Sequence, residues 1–167
     1  IGPCAVGSLA VKLEPGHFVV CDQIVDRTWG RDGTFFDGPE TVHLSFADPY
    51  CQELRGHAVE SLQQAGAVAH DGGAVVVIQG PRFSTRAESA FYASHGWSVI
   101  NMTQAPEAQL TRELDMCYVN ISVVTDYDVG VEGEIEPVTH DEVLRQFEAS
   151  IGTLREAVRL LIPRAAG

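Results

Sequence analysis

Two carboxylates stand two residues apart in Thr125-Asp126-Tyr127-Asp128, at the end of the apolar run 118–124. If the chain stays extended there, both side chains leave the same face of a strand. Carboxylates paired in this way can accept a proton or hydrogen-bond an amino group, and their mutual repulsion raises one pKa. A helix cap or a solvated acidic turn would account for the same residues without chemistry. A calcium loop needs more oxygen ligands at regular spacing, and Val129-Gly130-Val131 does not supply them. Two other stretches have the makings of a ligand site. Gln79-Gly80-Pro81-Arg82-Phe83-Ser84-Thr85-Arg86-Ala87-Glu88 is a tight turn feeding a helix start, where free amides favour anions or polar ligand edges. Its bland alternative is a plain connection with Arg82 or Arg86 paired to a surface carboxylate. Asn101-Met102-Thr103 sets polar groups beside a flexible apolar side chain; a capping asparagine and a core methionine would look the same.

These stretches must be held by something, and the periodicity says what. Residues 18–21 read as a short strand after the Glu14-Pro15-Gly16 turn, and 50–64 carry helical spacing through Leu54, Ala58 and Leu62 up to Gly66. Residues 74–78 are uniformly apolar and β-branched, as in a strand covered on both faces. A helix is predicted from Thr85, capped by its hydroxyl with Glu88 reaching back, to Gly96. A strand at 98–100 leads to a helix with Pro106 in its first turn. Another strand follows at 118–124, then an acidic loop at 126–136. Thr139 and Glu142 form a second capping box, opening a helix whose stripe is Leu144, Phe147, Ile151, Leu154, Val158 and Leu161. Strands alternating with helices predict an α/β fold with a mostly parallel or mixed sheet. In such sheets ligands bind beyond the carboxyl ends of strands, which singles out the residues after Ile78, Ile100 and Val124.

Composition narrows the function. A chain of 167 residues, 45% of them hydrophobic, fits one domain with a substantial core. No apolar run approaches the roughly 20 residues needed to span a bilayer, and no stretch reads as a signal peptide, repeat or low-complexity segment. The net charge of −12 and the scattering of eleven Lys and Arg oppose nucleic acid as a partner. Cys4, Cys21, Cys51 and Cys117 form no CxxC pair; an even count permits disulfides, but the apolar surroundings of three predict buried free thiols in a reducing cytoplasm. The chain opens at Ile1-Gly2-Pro3-Cys4 without an initiator methionine, which reads as a cut into a longer protein.

Taken in order, the motifs resemble the methylthioadenosine phosphorylases of the trimeric purine nucleoside phosphorylase family. The resemblance is carried by the run from Gly80 to Glu88, by Val99-Ile100-Asn101-Met102-Thr103, Pro106-Glu107, Cys117-Tyr118 and Thr125-Asp126-Tyr127-Asp128. Upstream, Gly7-Ser8-Leu9, Pro15-Gly16, Asp22-Gln23, Asp26-Arg27-Thr28 and Phe36-Asp37-Gly38 also match. The resemblance implies a homotrimer (a hexamer being the alternative) with a mixed sheet flanked by helices. It implies cleavage of an N-glycosidic bond by inorganic phosphate as co-substrate, with no cofactor and no metal. It also implies one domain, 1–167, incomplete at its N-terminus, since family members carry there a glycine-rich phosphate loop and an Arg-His pair absent from this sequence.

Residue by residue, the resemblance makes Asp126 the catalytic group at N7 of the departing purine and Asp128 its partner at the 6-amino group. Phe83 would pack on base or sugar, Ser84 would sit beside the base, and Met102 would touch the ribose. Ile100, Asn101 and Tyr127 complete the expected substrate set. Thr103 would hold phosphate with Cys4 and Ala5, which occupy the positions of a Thr-Ala pair; a thiol is a poorer donor than a hydroxyl, so that contact would rest on the backbone amide. His43 would reach a neighbouring subunit's pocket, and Val143 and Leu144 would wall the 5′ substituent. His140 stands where methylthioadenosine enzymes have an apolar residue and 6-oxopurine enzymes a histidine, so adenosine is a second expected substrate. Asp126, Asp128 and Ser84 favour 6-aminopurines. A 6-oxopurine nucleoside phosphorylase and a catalytically impaired purine-binding fragment remain the alternatives.

Overall fold

The computed structural model describes residues 1–129 and 139–165; the part of the acidic loop at 130–136 lies outside them. Along the chain come strands β1 (Gly2–Ser8), β2 (Phe18–Val20) and β3 (Gln23–Arg27), helix α1 (Gln52–Gln64), and strands β4 (Ala69–Asp71) and β5 (Ala74–Ile78). Then follow α2 (Arg86–Ser94), β6 (Val99–Asn101), α3 (Gln104–Glu113), β7 (Asn120–Asp126) and α4 (His140–Ala165). One mixed sheet runs in the order β3-β5-β6-β1-β7-β2-β4. The α/β expectation holds, and the apolar run at 74–78 is β5 as read. The strands β1, β3 and β4 were not anticipated. In β1 this is because Pro3, Ala5 and Gly7 on its open face carry none of the β-branched bulk that marks a strand.

Direction matters more for the site than strand count. β5 and β6 are parallel, β6 and β1 antiparallel, and β1 and β7 parallel. β7 therefore runs against β5 and β6. The three strand ends chosen from the sequence are not one common carboxyl rim; Asp126 approaches from the opposite direction, with β1 lying between.

Val19, Cys21, Val75, Val77, Val99 and Val124 pack one layer of the core. Phe18, Leu62, Ile121, Val123, Leu154 and Leu161 form another, where α1 and α4 cover the sheet. The α4 stripe packs as expected at Phe147, Leu154, Val158 and Leu161, but Ile151 is half-buried outside that cluster and Leu144 is exposed. The helix α2 starts as predicted: the Thr85 hydroxyl accepts from the Glu88 amide and the Glu88 carboxylate accepts from the Thr85 amide. In α3 the residue before Pro106, Ala105, is extended at φ −111° and ψ 132°, since proline disfavours the helical region for its predecessor. A buried polar knot crosses β7: the Ser122 hydroxyl donates to Asn120 Oδ1 at 2.6 Å, and Asn120 Nδ2 donates to the Gly2 carbonyl and Cys4 Sγ, each at 3.2 Å. These bonds fix β1 against β7. No helix among the described residues is long and apolar enough to cross a membrane.

The cysteines need correction. Cys4 and Cys21 are buried free thiols, but Cys51 and Cys117 form a disulfide, their Cα atoms 5.2 Å apart. They meet because the Cys51 amide, ahead of α1, bonds the Tyr118 carbonyl at 2.9 Å, a long-range pairing that residue types do not announce. Thiol titration of the unfolded chain should find two free thiols before reduction and four after. With a sequence separation of 66, loop-closure entropy makes the bridge worth about 4 kcal/mol; a melt unchanged by reductant or by Cys117→Ser would overturn this.

Candidate active site

The side of β1 that faces away from the core is a row of small residues, Pro3, Ala5 and Gly7, alternating with buried Cys4, Val6 and Ser8. Over it lies a cavity of about 440 Å³ whose floor is residues 3–7, about 13 Å of strand. At the Gly7 end stand Thr125, Asp126 and Asp128; Ile78, Phe83, Ile100 and Met102 form a flank; Asn101, Thr103 and Glu107 also line it, and Val143 reaches in from α4. Gly7 pairs with both Ile100 and Asp126, so one floor residue joins strands arriving from opposite directions.

The acid pair is built by a turn rather than by an extended strand. Asp128 has φ +53°, and its amide folds back to donate to Asp126 Oδ1 at 2.7 Å. The Thr125 hydroxyl donates to Asp126 Oδ2 at 2.6 Å and also lies 3.2 Å from the Val6 carbonyl. The Ser89 hydroxyl donates to Asp128 Oδ2. Both carboxylates thus reach one cavity although the backbone turns between them. Burial pushes the Asp126 carboxyl up to about 6, its bonds from Thr125 and Asp128 opposing the shift and the neighbouring charges of Asp128 and Glu142 adding to it. Asp128 is raised too, again chiefly by burial. Desolvation, more than mutual repulsion, raises both carboxyls, and at about 6 it leaves Asp126 able to carry a proton in mildly acidic conditions.

The two loops opposite are close-fitted. Gly80 has φ +61°, and a Cβ there would come 2.5 Å from Met102 Sδ, so only glycine allows this approach. Asn101 is buried and occupied: its Nδ2 donates to Cys4 Sγ at 3.3 Å and its Oδ1 accepts from the Thr103 amide at 3.4 Å. Cys4 Sγ lies in the buried knot, and burial raises its pKa; only the backbone of Cys4 and Ala5 is left for a ligand. The arginines of the Gly80 loop are spoken for. Arg82 holds Glu88 through two 2.8 Å bonds, keeping that carboxyl down at about 2, and Arg86 donates to the Val129 carbonyl at 3.0 Å.

Ten of the expected residues line the cavity: Asp126 and Asp128; Phe83, Ile100, Asn101, Met102 and Val143; Cys4, Ala5 and Thr103. Five do not. Tyr127 alternates with Asp126 and lines a second hollow with Leu9, Val11 and Ala93, which Asp128 also borders. Ser84 is buried beside Phe83 with its Oγ unbonded among the described atoms. His140 and Leu144 are exposed on the first turns of α4, and His43 is exposed in the long connection from β3 to α1. Gly7, Thr125 and Glu107 also belong to the cavity; all three fall inside the motifs of the sequence, which assign them no role. Among the described residues no group of three or more His, Cys, Asp or Glu is placed to hold a metal ion.

Comparison with known proteins gives concordant matches. The family described as the phosphorylase superfamily matches residues 4–163. An S-methyl-5'-thioadenosine phosphorylase of Mycobacterium tuberculosis is 53% identical, covering 99% of this chain and 60% of that protein. A purine nucleoside phosphorylase of Streptomyces coelicolor is 48% identical, covering 93% of this chain and 58% of that protein. A methylthioadenosine phosphorylase from Schistosoma mansoni, solved in complex with adenine, superposes with a TM-score of 0.92 at 33% identity, over 99% of this chain and 65% of that one. The chain spans 58 to 60% of the length of these curated relatives.

Proposed function

Because this chain belongs to the phosphorylase superfamily, we propose that its protein cleaves S-methyl-5'-thioadenosine, and adenosine beside it, with inorganic phosphate, releasing adenine and a pentose 1-phosphate. The observation that carries this reading is a largely buried acid, pushed up to about 6, at the Gly7 end of a small-residue floor, with Thr103 lining the same cavity. A purine at the Gly7 end would meet Asp126 and Asp128, the ribose would lie along Met102, and phosphate would sit at Ala5 and Thr103. Bond breaking leaves negative charge on the departing base. A protonated Asp126 donates to it, and general-acid help of this kind is worth about 10²–10⁴-fold.

The residues described here supply few phosphate donors, and the relatives' additional length is the natural source of the rest. We further propose a homotrimer in which His43 serves a neighbouring subunit's pocket, no cofactor beyond phosphate, and a cytoplasmic location, where the Cys51–Cys117 bridge would have to withstand reduction. Incubating the full-length protein with methylthioadenosine and phosphate should release adenine, with adenosine slower and inosine slower still. Preference for inosine would transfer the assignment to the 6-oxopurine enzymes; absence of release from any nucleoside would leave only the purine-binding fragment.

A further inference from the structure

Arg31 lies in the connection after β3 and none of the motifs above includes it. All five of its N–H bonds are directed at oxygens of the two loops that flank the cavity. Nη1 donates to the Met102 carbonyl at 2.9 Å and to the Ala105 carbonyl; Nη2 donates to the carbonyls of Ile78 at 3.4 Å and Gln79 at 3.1 Å; Nε donates to Gln79 Oε1 at 3.2 Å. Among the described residues it pairs with no carboxylate. Its charge is set against carbonyl dipoles where β5 and β6 run out and their backbone oxygens lose strand partners. The strap that carries it is fastened at both ends. The Trp29 amide donates to Gln79 Oε1 at 3.2 Å, and farther on Thr34 and Phe35 donate to the Glu113 carboxylate at 2.6 and 2.8 Å.

The carbonyls of Met102, Ile78 and Gln79 belong to or flank residues that line the cavity, and that of Ala105 stands at the start of α3. Met102 and Ile78 line the cavity, Thr103 follows Met102, and Gln79 precedes the turn to Phe83. A planar fork with five fixed donors can hold two loops at one separation; an ammonium on a flexible stem cannot bridge both pairs. We propose that Arg31 is a positioning residue for the nucleoside–phosphate site: it fixes the distance between the Phe83 loop and the Met102–Thr103 loop without touching substrate. This rests on the functional reading above and adds to it a determinant outside the cavity.

The test uses the full-length protein with Arg31→Lys, Arg31→Met and Arg31→Ala. KM for nucleoside and for phosphate should both rise about 10- to 100-fold, the scale of a misplacement near 1 Å, with kcat changed far less. The alkaline limb set by Asp126 should stay where it is. Free guanidinium should restore part of the Arg31→Ala activity and none to Asp126→Asn. Unchanged KM values, with losses that track the unfolded fraction, would overturn the proposal. If the unaltered protein binds adenine without cleaving nucleosides, the assigned reaction fails but the clamp is still judged by calorimetry: adenine at least about tenfold weaker in Arg31→Met supports it, and equal affinity refutes it. No adenine binding by the unaltered protein would sink both.

Discussion

Replacing Asp126 with asparagine should give a protein that is more stable at neutral pH and about 10²–10⁴-fold slower at releasing adenine. Activity falls because asparagine keeps the shape but has no proton to give up. Stability rises because the native carboxyl is displaced from 3.8 to about 6 by burial. A folded chain that holds its proton more tightly than the unfolded chain gains from that proton fully below about 3.8 and loses the gain as pH climbs through 6. Above that, an ionised group is held where burial strips away part of its water, at a cost of about 3 kcal/mol. Asparagine removes this cost: Oδ1 can still accept from the Asp128 amide, and Nδ2 can donate to the Thr125 hydroxyl, which then turns to the Val6 carbonyl. The melting advantage should be clear at pH 7.5 and gone near pH 4. In the unaltered enzyme, kcat/KM should decline as pH rises past about 6, and the variant should lack that limb. A variant less stable at every pH would refute the burial argument; one that kept full activity would refute the role.

Filling the floor at Gly7 should be nearly as damaging, for a steric reason. A Cβ on Gly7 would lie 3.0 Å from Asp126 Oδ1, 3.1 Å from Asp128 Cβ and 3.1 Å from Ile100 Cγ2. The single methyl of Gly7→Ala asks each neighbour to yield by a few tenths of an ångström. The branched side chain of Gly7→Val also occupies the space above the strand where the base would lie. Kinetics should therefore grade: alanine lowers kcat/KM modestly and valine by about 10²-fold, with overpacking costing about 1–3 kcal/mol. Equal kinetics for Gly7→Val and the parent would mean that the base does not lie against Gly7.

Much of this site is legible from local signals. Thr85 and Glu88 declare a helix start by chemistry alone, residues 74–78 declare a buried strand by composition, and the acid pair is visible because carboxylates seldom end an apolar run. What escapes is what depends on distant partners. Pro3, Ala5 and Gly7 look like loop material until β6 and β7 are laid on either side of them. The bridge from Cys51 to Cys117 needs the residue ahead of α1 to pair with Tyr118, and Arg31 is an ordinary surface arginine until two strand ends supply its acceptors. Local chemistry names the candidate groups, whereas long-range pairing sets the spacings between them.

The floor strand has a further consequence. Its side chains alternate, so sliding β1 by one residue against β6 and β7 would put the Cys4 and Val6 side chains under the ligand and press Ala5 and Gly7 into the core. Small adjustments of length are therefore forbidden within 3–8 but tolerable in the connections on either side. If the proposed reaction holds, the site would measure its substrate with a ruler whose divisions are whole peptide units, and a ligand whose base and anion are set farther apart would meet a fixed gauge.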